Sequence, residues 1–460
     1  MAEHFSFVVD TLPVAYYKLP FITEKSFISE TPVQTETSVV YSSHFCEYDY
    51  GKSIYNMDLL KGQYLHKAGF CGDGMLICAF DGAWKNCETV LQPLYENGQI
   101  WGTRDLAPCV NNVYIGNEDV HPYYNVADHG TSTLSLMACC IEGQLVGTAP
   151  RANYFLIRTE NPWGENLVEE DFWAQGAEIA DSLGADVVTA SVAYYTFDYE
   201  WQNIYTPADH NGMTSIASRA ASILAHKGVL VAQGAGNNGA GPLWSIICRP
   251  ADAFDILAVG AVNSNGVLAW YSSIGPSADG RVKPDVVSPG EKALALFGDG
   301  TIKPYGGTSC ATPILAGLAA CLWQALPQYS ALEVTDLIRK YGDRYNNPDD
   351  KYGYGAPNFY QCYLDHSSSV PEKIISEFLV YPNPTKGELH VTCHASHVTD
   401  VEIFDVYGRK LTPRTSYLAP RTSHSSSLIS IDISHLPQGI YIVKITAKGQ
   451  VYTSKVVKIN

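Results

Sequence analysis

The sequence predicts an α/β protein built on a parallel β-sheet flanked by helices, followed by a small C-terminal β-sandwich. Three observations carry that expectation. From about residue 50, apolar runs alternate with longer amphipathic segments, the pattern of a parallel sheet with crossover helices. Near the end of the chain, VEIFDVYGRKL and GIYIVKITA alternate apolar and polar residues with period two, as half-buried antiparallel strands do. Between these regions lies DHSSSVPEKIISE, a polar stretch with a run of three serines and Pro371 that reads as a linker.

Taken in order, the first 45 or so residues hold short strand-like fragments, at 5–9 and 38–41, broken by proline and threonine, and they assign no fold. The apolar runs at 75–80, 154–157, 186–190, 229–232 and 256–262 have the length of buried strands. Between them, 167–183 and 213–227 have the spacing and length of helices, and a third helix is expected from Ser309, after Gly306 and Gly307, through Leu322. Sheet order is not written in these spacings. In the tail, Gly408 and Gly439 stand at turns. The expected boundaries are 1–48 for an N-terminal extension, 49–364 for the α/β domain, 365–377 for the linker and 378–460 for the sandwich.

Composition narrows the function classes. With 460 residues, 46% hydrophobic and 17% charged, the chain can bury a large core, which excludes disorder as its main state. No apolar run approaches the ~20 residues that cross a bilayer. A net charge of -17 without a Lys/Arg cluster argues against nucleic acid as a partner. Beyond residue 370 ten basic side chains face seven acidic ones, so an acidic body carries a mildly basic tail. The twelve cysteines are scattered, without CxxC pairs or Cys/His spacings that suit zinc, and read mainly as small buried hydrophobes. Cys139 and Cys140, adjacent in an expected helix, would need separate partners if oxidised. No GxGxxG or phosphate loop is present, and no organic cofactor is expected.

Three segments place a reactive side chain where a regular element meets a glycine-bearing turn, the position at which parallel sheets build their sites. GMLICAFDGAW delivers Asp81 at the end of a strand, with Gly82 allowing a sharp exit. ADHGTSTLSLMACC sets His129 at a helix start, and YGGTSCATPILAGLAACLW sets Ser309 at another, after two glycines. A serine hydroxyl is a weak nucleophile and needs a base to take its proton and a carboxylate to fix that base's tautomer. Taken singly, each segment is ordinary: Asp81 a turn or cap residue, HG a surface loop, GTS an N-cap. Asp128 reads as a solvated side chain, because neighbours in sequence rarely face each other well enough to hold an imidazole. Cys310 reads as buried.

The three motifs together, in the order Asp81, His129, Ser309, resemble the subtilisin-like serine protease family, through DGAW, HGTS and GTSCATP. VAQGAGNNG resembles the family's oxyanion segment and VKPDVVSPG the segment upstream of its serine, so the likeness spans roughly residues 50 to 360. It implies a serine endopeptidase working through an acyl-enzyme, with Asp81, His129 and Ser309 as triad, Asn237 as oxyanion donor, and Ser191, Ala193 and Gly236 lining the substrate cleft. AGNNG is also a good tight turn on its own. The resemblance raises structural calcium as a cofactor, with no acidic loop singled out for it. Two departures stand out. Ala83 replaces a common glycine, and Ala193, Tyr194 and Tyr195 replace a small-residue pocket wall. They favour a second reading, a catalytically silent surface-binding protein of the same fold, against which the retained triad speaks.

FLVYPNPTKGELHV, FDVYGRKL, LPQGIYIVKI and KVVKIN resemble the type IX secretion C-terminal sorting domain of Bacteroidetes. That likeness implies secretion machinery as a partner, protein or peptide substrates outside the cell, and a secreted or outer-membrane surface location. An accessory β-sandwich that binds carbohydrate is the plainer alternative. The opening MAEHFSFVVDTLPVAYY lacks the basic start, apolar stretch and cleavage site of a secretory signal, and residues 1–48 resemble the end of a propeptide. An incomplete N-terminus is the expectation that reconciles the two.

Overall fold

Seven parallel strands form the centre of the first unit in the computed structural model: β1 (Leu76–Asp81), β2 (Ile100–Asp105), β3 (Asn153–Arg158), β4 (Val187–Ala190), β5 (Leu230–Gly234), β6 (Leu257–Val262) and β7 (Val286–Pro289). Their order in the sheet is β2-β3-β1-β4-β5-β6-β7. The chain divides into two units, Met1–Ser367 and Ser368–Asn460. The structure describes residues 47–107, 127–161, 164–239 and 247–367 of the first. In the second it describes 378–381, 385–393, 398–405, 408–412, 414–418, 427–447 and 450–458. The expected fragments before residue 47 and most of the expected linker lie outside these ranges.

Every residue of β1 is buried, which is what a central strand covered on both faces requires. Its alternate side chains serve two cores. Ile77 and Ala79 pack in the larger one, with Leu134 and Leu136 of helix α1 (His129–Ala138) and Ile314, Leu315 and Leu318 of the central helix Thr308–Ala325. Leu76, Cys78 and Phe80 face the other core, with Trp173 and Ala177 of α2 (Glu169–Leu183) and Ala217 and Ala221 of α3 (Ile216–His226). The central helix, α4, is buried nearly all round, and its small residues let it pass close under the sheet.

Five strands and three helices coincide with the predicted runs to within a few residues. Strands β2 and β7 were absent from that set because they are sheet edges. β2 reads IWGTRD, with Trp101 58% exposed, and β7 is four residues ending in proline. Cys139 and Cys140 are not helical together: α1 ends at Ala138, Cys139 caps it and Cys140 enters a two-residue strand. Asp365 to Ser367, expected in the linker, close the helix Phe359–Ser367.

The second unit stacks two four-stranded antiparallel sheets. One holds Phe378–Tyr381, Glu388–Cys393, Ser427–Asp432 and Arg414–Leu418, the other Lys410–Leu411, Val398–Asp405, Gly439–Ala447 and Gln450–Lys458. Leu389, Val391, Ile429 and Ile431 from the first meet Val401, Ile403, Val443 and Ile445 from the second in one core. The period-two spacing of these residues is the sandwich signature. Among the described residues of the whole chain, no helix is long and apolar enough to cross a membrane.

Candidate active site

The carboxyl ends of β1, β3, β4 and β5 open into one cleft, lined among others by Asp81, His129, Ser191, Ala193, Gly236, Asn237 and Ser309. The structure therefore brings together every site residue expected from the sequence. Asp81 ends β1 and is almost wholly buried. Its Oδ1 lies 2.7 Å from His129 Nδ1 and also accepts the backbone N–H of Gly82, while Oδ2 accepts the Thr133 hydroxyl at 3.0 Å. Thr133, one helical turn after His129, is a partner the sequence reading missed. HGTST carried the signal, since residues four apart share a helix face.

Gly130 explains how His129 reaches the strand end. Its N–H donates to the Ala83 carbonyl at 2.7 Å, and a Cβ at this position would stand only 2.4 Å from that oxygen. Only glycine lets α1 start so close to the Asp81 turn. Ala83 itself is fully buried there and its methyl is accommodated.

His129 keeps 31% of its side chain exposed through the cleft and stacks edge-on against Tyr305. Packing on its remaining sides disfavours the cation, but the charge and hydrogen bond of Asp81 outweigh that, and the imidazole titrates above its ordinary value. Asp128 is not solvated as expected. It is half-buried, with Oδ1 enclosed beside Gly298 and lacking a hydrogen-bond partner among the described residues.

Ser309 stands in the first turn of α4, after Gly307, whose φ of 142° fits glycine. Its hydroxyl donates to the Ser191 carbonyl at 3.2 Å. In return the Ser191 hydroxyl donates to the Ser309 carbonyl at 3.1 Å. Pro313 makes that return bond necessary. Four residues on in the helix, it has no N–H to give the Ser309 carbonyl, and Ser191 supplies the missing donor. Asn237 Oδ1 accepts both the backbone N–H and the hydroxyl of Thr308, at 2.9 and 3.1 Å, which turns its amide nitrogen the other way. Gly236, at φ 106°, packs so tightly on Cys248 that a Cβ would meet Sγ at 2.3 Å.

The substituted wall behaves differently from expectation. Tyr195 lines the cleft, but Tyr194 is wholly buried, its hydroxyl donating to the Glu160 carboxylate and the Glu169 carbonyl. Its backbone pairs with Arg249, which is itself held by Glu170 at 2.8 Å in a buried ion pair. Tyr194 thus anchors the floor instead of shaping the opening. Cys310 is buried as expected, and burial pushes its thiol well up.

Glu160, Glu165 and Glu169 bring carboxylate oxygens within 4.8 Å of one another. As a resident calcium site they fit poorly. Both Glu169 oxygens accept backbone N–H groups, of Asn161 and Asn166, and Glu160 is held by Tyr194 and Thr159. Calcium takes roughly six to eight oxygen ligands, and these side chains offer too few that are uncommitted.

Residues 73–355 match the profile of the subtilase family, and residues 379–460 that of the secretion system C-terminal sorting domain. Among curated relatives, subtilisin NAT of Bacillus subtilis subsp. natto is 24% identical over 337 residues, covering 73% of this chain and 77% of its own length. Serine protease AprX of Bacillus subtilis (strain 168) is 28% identical over 289 residues, covering 57% and 61%. Among solved structures, MycP1 from the ESX-1 type VII secretion system aligns with a TM-score of 0.51 at 19% identity, over 70% of this chain and 90% of that one. The prenylagaramide maturation protease PagA gives 0.50 at 18%, over 67% and 98%. At these identities the structures speak to fold, and the family match speaks to activity. With a parallel-sheet cleft of this make-up and a subtilase match over most of the first unit, the chain belongs to the subtilase family, a serine-type endopeptidase that carries a C-terminal sorting domain pointing to secretion or the cell surface.

Proposed function

We propose that peptide hydrolysis proceeds through an acyl-enzyme on Ser309, with His129 as base and then acid, and Asp81 as the carboxylate that orients it. The observation that carries this reading is the 2.7 Å contact between His129 Nδ1 and Asp81 in a cleft that also presents Ser309. With Nδ1–H donating to Asp81, Nε2 is the basic nitrogen. The Ser309 hydroxyl exchanges the Ser191 carbonyl for this acceptor, gives up its proton and attacks the substrate carbonyl. The imidazolium, stabilised by Asp81, then returns the proton to the leaving amine. A water activated by the same nitrogen releases the acid.

Charge that develops on the carbonyl oxygen meets the Asn237 amide nitrogen and the backbone N–H of Ser309 at the start of α4. The bonds from Thr308 fix the first of these donors before substrate arrives, so no reorganisation is needed during reaction. Ser191, Ala193 and Gly236 supply the backbone walls along which the substrate lies. The tail directs the enzyme through type IX secretion to the outer-membrane surface or the medium, where protein substrates are met. The residue ranges 49–364 and 378–460 serve as the peptidase and sorting domains.

A fluorophosphonate probe tests the nucleophile. Labelling mapped to Ser309 in the wild type, and absent in Ser309→Ala and His129→Ala, is the expected result. A folded wild type that resists the probe, or labelling elsewhere, would refute the assignment.

A further inference from the structure

We infer that the cleft selects polypeptides that carry a lysine or arginine side chain close to the scissile bond, and that Glu165 and Asp198 are the residues that select it, with Glu160 behind them. This rests on the reading of Ser309 as nucleophile.

The cleft, about 740 Å³, is continuous from Asp81, His129 and Ser309 to Glu160, Glu165 and Asp198. Glu160 and Glu165 lie in the connection from β3 to α2 and Asp198 in the segment after β4, so two separate parts of the chain bring acid to one place. None of them, nor Glu169, forms an ion pair with a lysine or arginine among the described residues. The backbone N–H of Glu165 donates to Asp198 at 3.1 Å, and Glu160 and Glu169 are locked by the bonds described above, so the carboxylates of Asp198, Glu160 and Glu169 are held in position while that of Glu165 is exposed beside them.

A buried acceptor beside this end of the cleft also lacks a donor. Asn166 is only 5% exposed, and its Oδ1 has no hydrogen-bond partner among the described residues. Its Nδ2 is turned onto the Gly164 carbonyl at 3.1 Å. A Cβ on Gly164 would lie 3.7 Å from that amide nitrogen and 2.5 Å from Asp198 Oδ2, so amide and carboxylate converge on the same side of Gly164, itself a lining residue. A buried acceptor without a donor is costly, and so are carboxylates gathered without a cation. Burial and the neighbouring carboxylates accordingly hold the Glu160 carboxyl well above its usual range, and burial, with the nearby Asp198 charge, raises Glu165 to about 7.

A guanidinium or ammonium group supplies what is missing: several N–H donors and one positive charge. Next in sequence to Asp198 stand the exposed, mutually stacked Tyr199 and Trp201. A net charge of -17 favours encounter with cationic peptides as well.

The test uses the full chain, with active sites counted by fluorophosphonate labelling so that every rate refers to reactive Ser309. Fluorogenic peptides carry one lysine or arginine, scanned through positions on both sides of the cleaved bond, against the same peptides with glutamine. At one position the basic residue is expected to raise kcat/KM about tenfold or more. That ratio should fall toward one in Glu165→Gln with Asp198→Asn. In Glu165→Lys with Asp198→Lys, a glutamate at the same position should be preferred. A fully labelled wild type that shows no preference at any position overturns the inference, as does a preference the variants leave intact. Calorimetric calcium binding that is lost in Glu165→Gln while the ratio stays unchanged overturns it too, by making these carboxylates metal ligands. Failure of labelling at Ser309 would instead strike the reading on which the inference stands.

Discussion

At the scale of single residues the site is a set of competing claims on each polar atom. Asp81 has two oxygens and three donors: His129 and Gly82 share one oxygen and Thr133 takes the other. The carboxylate therefore cannot rotate away from the imidazole without losing bonds. Because Asp81 outweighs the packing that would depress His129, the acid limb of kcat/KM is expected above the ordinary histidine value of about 6.5. Activity rises with pH there as the base becomes neutral. In Asp81→Asn the opposing effect of packing is left alone, so the limb should move to lower pH while turnover drops by about 10⁴-fold. A pH–rate profile of both proteins measures the two effects. Asn237→Ala should cost about 10²- to 10³-fold in kcat, read from the same assay with KM much less changed.

At the scale of elements, the helix that carries Ser309 is incomplete by itself. Pro313 leaves the Ser309 carbonyl without a helical donor, and Ser191, at the end of β4, completes it across the cleft. Ser191→Ala should therefore destabilise the fold by about 1–2 kcal/mol, and Ser191→Thr, which keeps the hydroxyl, by less; denaturant titration compares them. Pro313 and Ser191 were both visible in the sequence, but their partnership was not, because 122 positions separate the proline from the serine and only the sheet order joins them. The same limit explains the rest. Asp81, His129, Ser309 and Asn237 were legible since each sits in a short motif at an element's end. The runs at the centre of the sheet were legible because burial on both faces leaves continuous apolar stretches. The edge strands β2 and β7, the inward turn of Tyr194 and the convergence of Glu160, Glu165 and Asp198 depend on contacts between distant segments, and no local pattern reports them.

At the scale of the whole molecule, the described residues of the first unit include two buried neutral histidines outside the cleft. His66 is fully buried between Tyr50 and the Thr148 carbonyl, and burial lowers its pKa to about 4. Burial and the Arg249 cation do the same to His210, also to about 4. In the unfolded chain both would titrate near 6.5. The unfolded state thus binds more protons below that value. Stability should be full above pH 6.5 and be lost steadily as pH falls toward 4, by up to ~1.4 kcal/mol per pH unit for each histidine. Denaturant unfolding at several pH values should give that slope, and His66→Gln should reduce it; a stability constant from pH 7 to 4.5 would contradict the account. Activity is therefore expected at neutral to mildly basic pH, where His129 is neutral and the fold is most stable.

The most direct test of the central claim is to trap the covalent intermediate. An activated ester mixed with the enzyme, quenched in acid within milliseconds and weighed intact, should add one acyl group, and digestion should place it on Ser309. The adduct should decay at the rate of steady-state turnover. Hydrolysis of the ester at full rate with no acyl group ever found on Ser309 would contradict the account.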